Sequence, residues 1–242
     1  MTQPSFSYQI FPLGDTAITV EFGNCIDEQI NQMVIPLFHQ WKQRPLPGMT
    51  ELAPAYSSVT VYFDLLKVKK QAGNISAYEW MKQQVEQRLG ERNLYAQETP
   101  GKPIRIPVCY EKEFAPDIFR LAELNNISSE EVVALHTAKT YRVYMLGFLP
   151  GFPYMGMVDK KIAMPRKAQP IAVSAGSVGI AGTQTGIYPF DSPGGWQIIG
   201  RTPLKLFDAE RDAPVLAQPG DYVQFFSISK KEYEEIQNSS FS

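Results

Sequence analysis

Ser177-Val-Gly-Ile-Ala-Gly-Thr-Gln-Thr-Gly-Ile-Tyr-Pro-Phe190 holds two short β-prone runs, Ser177–Ala181 and Gly186–Phe190, parted by a glycine-bearing turn. The same rhythm repeats on both sides. Tyr141–Leu146, Ile171–Ser174, Trp196–Ile199, Lys205–Phe207 and Tyr222–Ile228 are all β-branched or aromatic runs bounded by Gly or Pro, and Pro219-Gly-Asp221 is a turn leading into the last of them. Close turn spacing with such runs predicts an all-β barrel. Just upstream, Ile104, Ile106 and Val108 alternate as in a strand. One short helix is predicted over about 116–125, through Ile118, Leu121 and Ala122. A second opens on Ser128-Ser-Glu-Glu131, read as a capping box, and carries Val132, Leu135 and His136. Glu232 to Glu235 reads as a solvated helix end.

The N-terminal part has a different texture. Thr16–Phe22 alternates with Ile18, Val20 and Phe22 on one face. Ile26, Ile30, Met33, Val34, Leu37, Phe38 and Trp41 then recur at helical spacing, with Asp27 and Glu28 in the first turn and Pro36 as an expected kink. Val59, Val61 and Phe63 mark another half-buried strand, and Ser76-Ala-Tyr-Glu79 is a capping box for a helix through Met81, Val85 and Leu89. Strand–helix–strand–helix predicts a small α/β sandwich. Glu98-Thr-Pro-Gly-Lys-Pro103 has no periodicity and reads as a boundary. The expected organisation is α+β: an N-terminal α/β sandwich over residues 1–95 and a β-barrel domain over 103–242.

Several function classes are excluded. A net charge of −2 gives no global footprint for nucleic acid. The N-terminus has neither a basic nor an apolar signal-peptide region. The greasiest stretch, Val143 to Val158, is broken by Gly147, Pro150, Gly151, Pro153 and Gly156, so no membrane helix is expected. Cys25 and Cys109 lie far apart and read as free thiols of a cytoplasmic protein. His39 rides the first helix with nothing nearby to complete a ligand set, so no metal site is expected. Gly151-Phe-Pro-Tyr-Met-Gly156 has P-loop glycine spacing but is followed by Met157-Val158, which lack the phosphate-gripping lysine and the hydroxyl.

Residues 141–201 stand out. They hold ten of the 17 glycines and six Lys/Arg (Arg142, Lys160, Lys161, Arg166, Lys167, Arg201) against Asp159 and Asp191. A Gly-rich, locally basic segment suits a small anion, and equally suits a barrel with tight turns and a basic surface. Within it, Gly147-Phe-Leu-Pro150-Gly151-Phe-Pro153 is more rigid and irregular than a core strand requires; it is either a pocket wall or a buried corner, and the Phe152–Pro153 bond is a candidate cis bond.

The run His136-Thr-Ala-Lys-Thr-Tyr141-Arg-Val-Tyr144-Met-Leu-Gly147-Phe-Leu-Pro150-Gly151-Phe-Pro153-Tyr-Met-Gly156 resembles the signature of the KipI family, also called allophanate hydrolase subunit 1 or the B subunit of 5-oxoprolinase. Pro165-Arg166-Lys, Ala175-Gly-Ser177-Val-Gly179-Ile-Ala-Gly182, Gln184-Thr-Gly186-Ile-Tyr188-Pro and Ser192-Pro-Gly194-Gly-Trp196-Gln-Ile-Ile-Gly200-Arg-Thr-Pro203 match as well, as do Leu13-Gly-Asp15 and Pro54-Ala-Tyr-Ser-Ser58. The resemblance implies a cyclophilin-like barrel that pairs with a similar barrel on the 5-oxoprolinase C subunit. It implies joint work with the A subunit to open 5-oxoproline to glutamate at the expense of ATP, with Mg2+, in the complex. It also implies two other roles: inhibition of a sensor histidine kinase, or a place in urea or allophanate metabolism.

For that chemistry the candidate residues divide by kind. Arg166 has a fork that grips carboxylate or phosphate, or is a surface ion pair. His136 is a proton donor or acceptor near neutral pH, or a histidine wedged between helix and barrel. Tyr144 and Tyr188 offer phenols or pack in the core. Ser177, Gln184 and Thr185 lie among glycines, where polar groups converge on an oxyanion or simply build turns. Phe148, Gly151 and Phe152 shape the wall of a substrate or nucleotide pocket, and Trp196 either stacks on substrate or packs.

Overall fold

The structure is a computed structural model that describes residues 7–91 and 101–239. They fall into two compact units, one on either side of residues 92–100. Half of the segment read as a domain boundary, residues 98–100, lies outside the described residues.

The first unit is a four-stranded antiparallel sheet of β1 (Gln9–Pro12), β2 (Ala17–Glu21), β3 (Met49–Pro54) and β4 (Ser58–Phe63), in the order β1-β2-β4-β3. In β4 the alternation is complete: Val59, Val61 and Phe63 are buried and their neighbours are not. They meet Ile18 and Val20 of β2, Val34, Leu37 and Trp41 of α1 (Glu28–Gln43), Val68 of α2 (Leu65–Ala72), and Met81 and Val85 of α3 (Ala77–Leu89). Asp27 lies one step outside the predicted first turn and caps α1, accepting from the Ile30 amide at 3.0 Å, while Pro36 stands inside the helix. Ser76 and Glu79 form the predicted reciprocal capping box on α3.

The second unit closes a seven-stranded barrel in the order β10-β7-β6-β13-β5-β12-β9. Its strands are β5 (Ile104–Cys109), β6 (Thr140–Leu146), β7 (Pro153–Gly156), β9 (Ser177–Ala181), β10 (Gln184–Ile187), β12 (Gln197–Arg201) and β13 (Tyr222–Ile228). The pairing of β13 with β5 is parallel and the rest are antiparallel. Ile106, Val108, Tyr141, Val143, Val178, Ile180, Ile199, Val223 and Phe225 fill the interior with residues of α4 (Ile118–Leu124) and α5 (Ser129–Thr137). In α5, the Ser128 hydroxyl accepts from the Glu131 amide at 3.1 Å, as predicted.

Some expectations are corrected. The Ile171–Ser174 run forms β8 (Ile171–Val173), which pairs with β11 (Ser192–Gly194) in a separate two-stranded sheet and not in the barrel. Lys205–Phe207 makes a single bridge, Phe207 to Val215. Glu232–Glu235 lies inside α6 (Lys230–Ser239), near its start, where Glu232 accepts from the Ser229 amide. The cis bond among the described residues is Gly156–Met157 and not Phe152–Pro153.

Candidate functional site

The glycines of the opening sequence are explained by what lies on them. Gly179 of β9 and Gly186 of β10 are cross-strand partners. A Cβ on Gly186 would come within 3.0 Å of the Phe152 ring, and one on Gly179 within 3.0 Å of the Trp196 Cβ. Two missing side chains thus make a flat strip on the outer wall of the barrel, and aromatic rings fill it. Phe152, Val173, Ala181, Tyr188, Trp196 and Ile198 form a buried cluster there, with Tyr154 packed against it. Phe152 sits edge-on to both Tyr188 (5.1 Å) and Trp196 (5.3 Å). Gly194 is a close approach of the same kind: a Cβ there would collide with the Tyr188 hydroxyl and stand 2.7 Å from its ring. Tyr188 is fully packed and cannot swing away. Gly194→Ala is therefore expected to destabilise the barrel unit by about 1–3 kcal/mol, the usual penalty of overpacking, read as a lower unfolding midpoint in denaturant.

Two side chains rise from this packed base into solvent. Phe148 is 61% exposed and lies edge-on to Phe152 and Tyr188. Its φ is +64°, in a tight turn where the Leu149 amide donates to the Gly147 carbonyl at 2.7 Å. A phenylalanine held there costs about 1–3 kcal/mol of backbone strain, and such strain clusters at binding sites. Gly151 completes the loop at φ +80°, against Phe207. Arg166 is also exposed; its guanidinium lies about where a side chain on Gly195 would begin, with Nε and Nη2 3.6 Å from that position. It makes no hydrogen bond or ion pair among the described residues. Burial pushes the Tyr154 and Tyr188 phenols up, and the nearby Arg166 charge opposes this at both. Arg166 and Phe148 thus both border Tyr188, one cationic and one aromatic.

The other sequence candidates lie elsewhere. His136 projects from α5 into the barrel interior and is wholly buried. Its ring stacks on Phe225 at 4.5 Å. The Thr185 hydroxyl donates to the Gly179 carbonyl (3.2 Å), so it accepts from His136 Nε2–H (3.0 Å), which leaves Nδ1 to accept from the Tyr110 hydroxyl (2.8 Å). Burial holds His136 neutral, with its pKa lowered to about 3. This is the wedged-histidine alternative: a side chain that ties helix to barrel and is out of reach of a ligand on the outer wall. Thr185 is its partner in that tie. Tyr144 is buried against Gly156, and Ser177 is buried in β9. Gln184 is half-buried at the start of β10. The structure thus brings together Arg166, Phe148, Gly151, Phe152, Tyr188 and Trp196, and sets His136 and Thr185 apart. In the packed layer, Phe152, Tyr188 and Trp196 support the surface from below.

Sequence reasoning missed Tyr154, Asp117 and Gln197. The last donates to the Pro165 carbonyl at 2.8 Å and so helps hold the arginine loop. A cleft of about 450 Å3 elsewhere on the unit is lined by Tyr110, Glu111, Glu130, Val133, Ser227, Ile228, Ser229 and Glu232. Two of its carboxylates are engaged locally: Glu111 accepts from the Lys230 amide, and Glu232 from the Ser229 amide. Among the described residues no His, Cys, Asp and Glu group could hold a metal ion, and no helix is long and apolar enough to cross a membrane.

Comparison with known proteins adds a family context. Residues 8–217 match the family described as carboxyltransferase domain, subdomain C and D. A Bacillus subtilis (strain 168) protein, named as the B subunit of 5-oxoprolinase, is 46% identical over 236 residues, which cover 96% of this chain and 98% of that protein. An Escherichia coli O157:H7 protein of the same name is 37% identical over 214 residues, 88% of this chain and 93% of that one. Among solved structures, the crystal structure of TTHA0988 superposes with a TM-score of 0.74 at 32% identity; the match takes in 88% of this chain but spans only 40% of that longer one.

Proposed function

Because the chain belongs to the carboxyltransferase-domain family of subdomains C and D, we propose that it serves as the B subunit of an ATP-dependent 5-oxoprolinase, inactive without its partner A and C subunits. The finding that carries this reading is the 46% identity, along almost the whole length of both chains, to a protein named as that component. The complex opens 5-oxo-L-proline to L-glutamate. A lactam carbonyl is a poor electrophile. Transfer of the γ-phosphoryl group of ATP to the carbonyl oxygen activates the ring carbon; water attacks that carbon, the C–N bond breaks with the ring nitrogen leaving as the amine, and a second water cleaves the resulting γ-glutamyl phosphate to glutamate and inorganic phosphate. ATP and Mg2+ supply the phosphoryl group and neutralise charge in the assembled complex.

Phosphoryl transfer needs positioning and charge neutralisation more than covalent help. In this reading the barrel domain, residues 103–242, carries this chain's share of the site. Arg166 grips a carboxylate or phosphate oxygen, and Phe148 presents its exposed ring beside it, both borne on the Phe152–Tyr188–Trp196 layer. His136 acts only by position, holding α5 to β10 through Thr185.

The test is reconstitution. This chain is co-expressed with homologues of the A and C subunits, and glutamate release from 5-oxoproline is followed with and without ATP. The expected result is ATP-dependent release that needs all three chains. Full activity with this chain omitted rejects the proposal.

A further inference from the structure

The residue before α4 is Asp117, at a position where an aspartate usually caps the helix with its carboxylate. Asp117 makes no capping bond. Its carboxylate is turned instead toward β12 and the arginine loop. Oδ2 accepts from the Ile198 amide at 2.6 Å and from Lys167 Nζ at 2.5 Å, and the Asp117 amide donates to the Ile198 carbonyl at 3.0 Å. The Lys167 and Asp117 side chains are only 11% and 14% exposed. Burying two opposite charges costs much of what their attraction returns, so such a pair contributes little to stability and more to fixing one geometry.

The pair anchors the residue that follows Arg166, and two further hydrogen bonds hold the backbone on both sides. The Lys167 amide donates to the Gly195 carbonyl at 2.7 Å, and Gln197 Nε2 donates to the Pro165 carbonyl at 2.8 Å. Pro165 and Lys167 are therefore tied to the segment around β12, while the residue between them is exposed and unpaired. An arginine on a long stem binds an anion well only when its base is held, because ordering the stem opposes binding.

We propose that the Asp117–Lys167 pair is a positioning device for Arg166: it touches no substrate, and it sets the backbone from which the guanidinium is presented. The proposal rests on the assignment of Arg166 as the anion grip.

The test uses the assembled three-component enzyme carrying Asp117→Asn, Arg166→Ala, or both. Asparagine keeps an oxygen for the Ile198 amide and removes the charge that holds Lys167. Asp117→Asn is expected to lower kcat/KM about tenfold, through the same parameter, KM or kcat, that Arg166→Ala changes. The double variant is expected within about twofold of Arg166→Ala alone, since a residue that acts only through Arg166 has nothing left to lose. A purely structural pair would reduce the yield of assembled enzyme, leave KM unaltered and multiply with Arg166→Ala. Multiplicative losses, or wild-type kinetics in Asp117→Asn, overturn the proposal while leaving Arg166 in place. A silent Arg166→Ala removes the anion grip and, with it, anything to position. Lys167→Met serves as the second variant, with the same expectations. If neither single variant assembles, the pair is structural and the proposal fails.

Discussion

The Arg166→Ala chain, assembled with its partner subunits, is expected to open 5-oxoproline about ten- to hundred-fold less efficiently than the parent, because a hydrogen bond to a charged group contributes about 1.5–3 kcal/mol. Its unfolding midpoint is expected to stay where it is. Arg166 is exposed and makes no ion pair among the described residues, so removing it breaks nothing in the folded chain. Arg166→Lys keeps the charge and loses the fork, and so is expected to fall between the two. Measurement of kcat/KM on enzyme of verified composition decides the matter. Parent-like kinetics in Arg166→Ala would reduce the residue to surface charge.

The second large effect is on stability. His136 has its pKa lowered to about 3 by burial, against about 6.5 in an unfolded chain. The ring's neighbours are Tyr110, Tyr141, Phe225 and Thr185, none of which carries a negative charge at neutral pH to favour the imidazolium. Below pH 6.5 the unfolded chain takes up a proton that the folded chain refuses. The contribution is fully present above that pH and is lost as pH falls toward the folded value. Between pH 7 and pH 5 the loss is about 2 kcal/mol, or roughly 4–8 °C in the melting temperature of a unit this size. His136→Gln is expected to melt lower at pH 7 and to show a visibly smaller drop between the two pH values. An equal drop in both chains would place the titrating group elsewhere; His39 is present in both and cancels.

Where periodicity was strong, the chain was legible. Ser177–Ala181 and Tyr222–Ile228 have the bounds read from their β-branched and aromatic content alone, and Ser76 with Glu79 does what their spacing demands. Weakly patterned elements were not legible. β1 and β3 each carry a proline and few buried residues, since they flank the sheet, so neither alternates visibly. α2 is a two-turn helix with only Val68 and Ala72 buried. β7 was hidden by its proline: Pro153 opens the strand, where a missing amide is tolerated. The same limit shaped the reading of the site. Phe148 sits in the loop whose unusual Gly/Pro composition drew attention, and Arg166 was singled out only for the chemistry of its fork. His136 went inward because the sequence cannot say which way a helix face turns, and its partners Tyr110 and Thr185 are 26 and 49 residues away. Asp117 left no signal at all, since an aspartate ahead of a helix looks like an ordinary cap.

The parallel pairing of β13 with β5 has a consequence for biosynthesis. Ile104 to Cys109 take Val223 to Ile228 as their neighbours, so a strand made early waits on one made more than a hundred residues later. During translation the open edge of β5 and the apolar lining beside it have no native cover until the last strand leaves the ribosome. Closure of the cylinder thus waits on β13, and until it is made the nascent chain passes through a stage in which its own edges invite association with other chains.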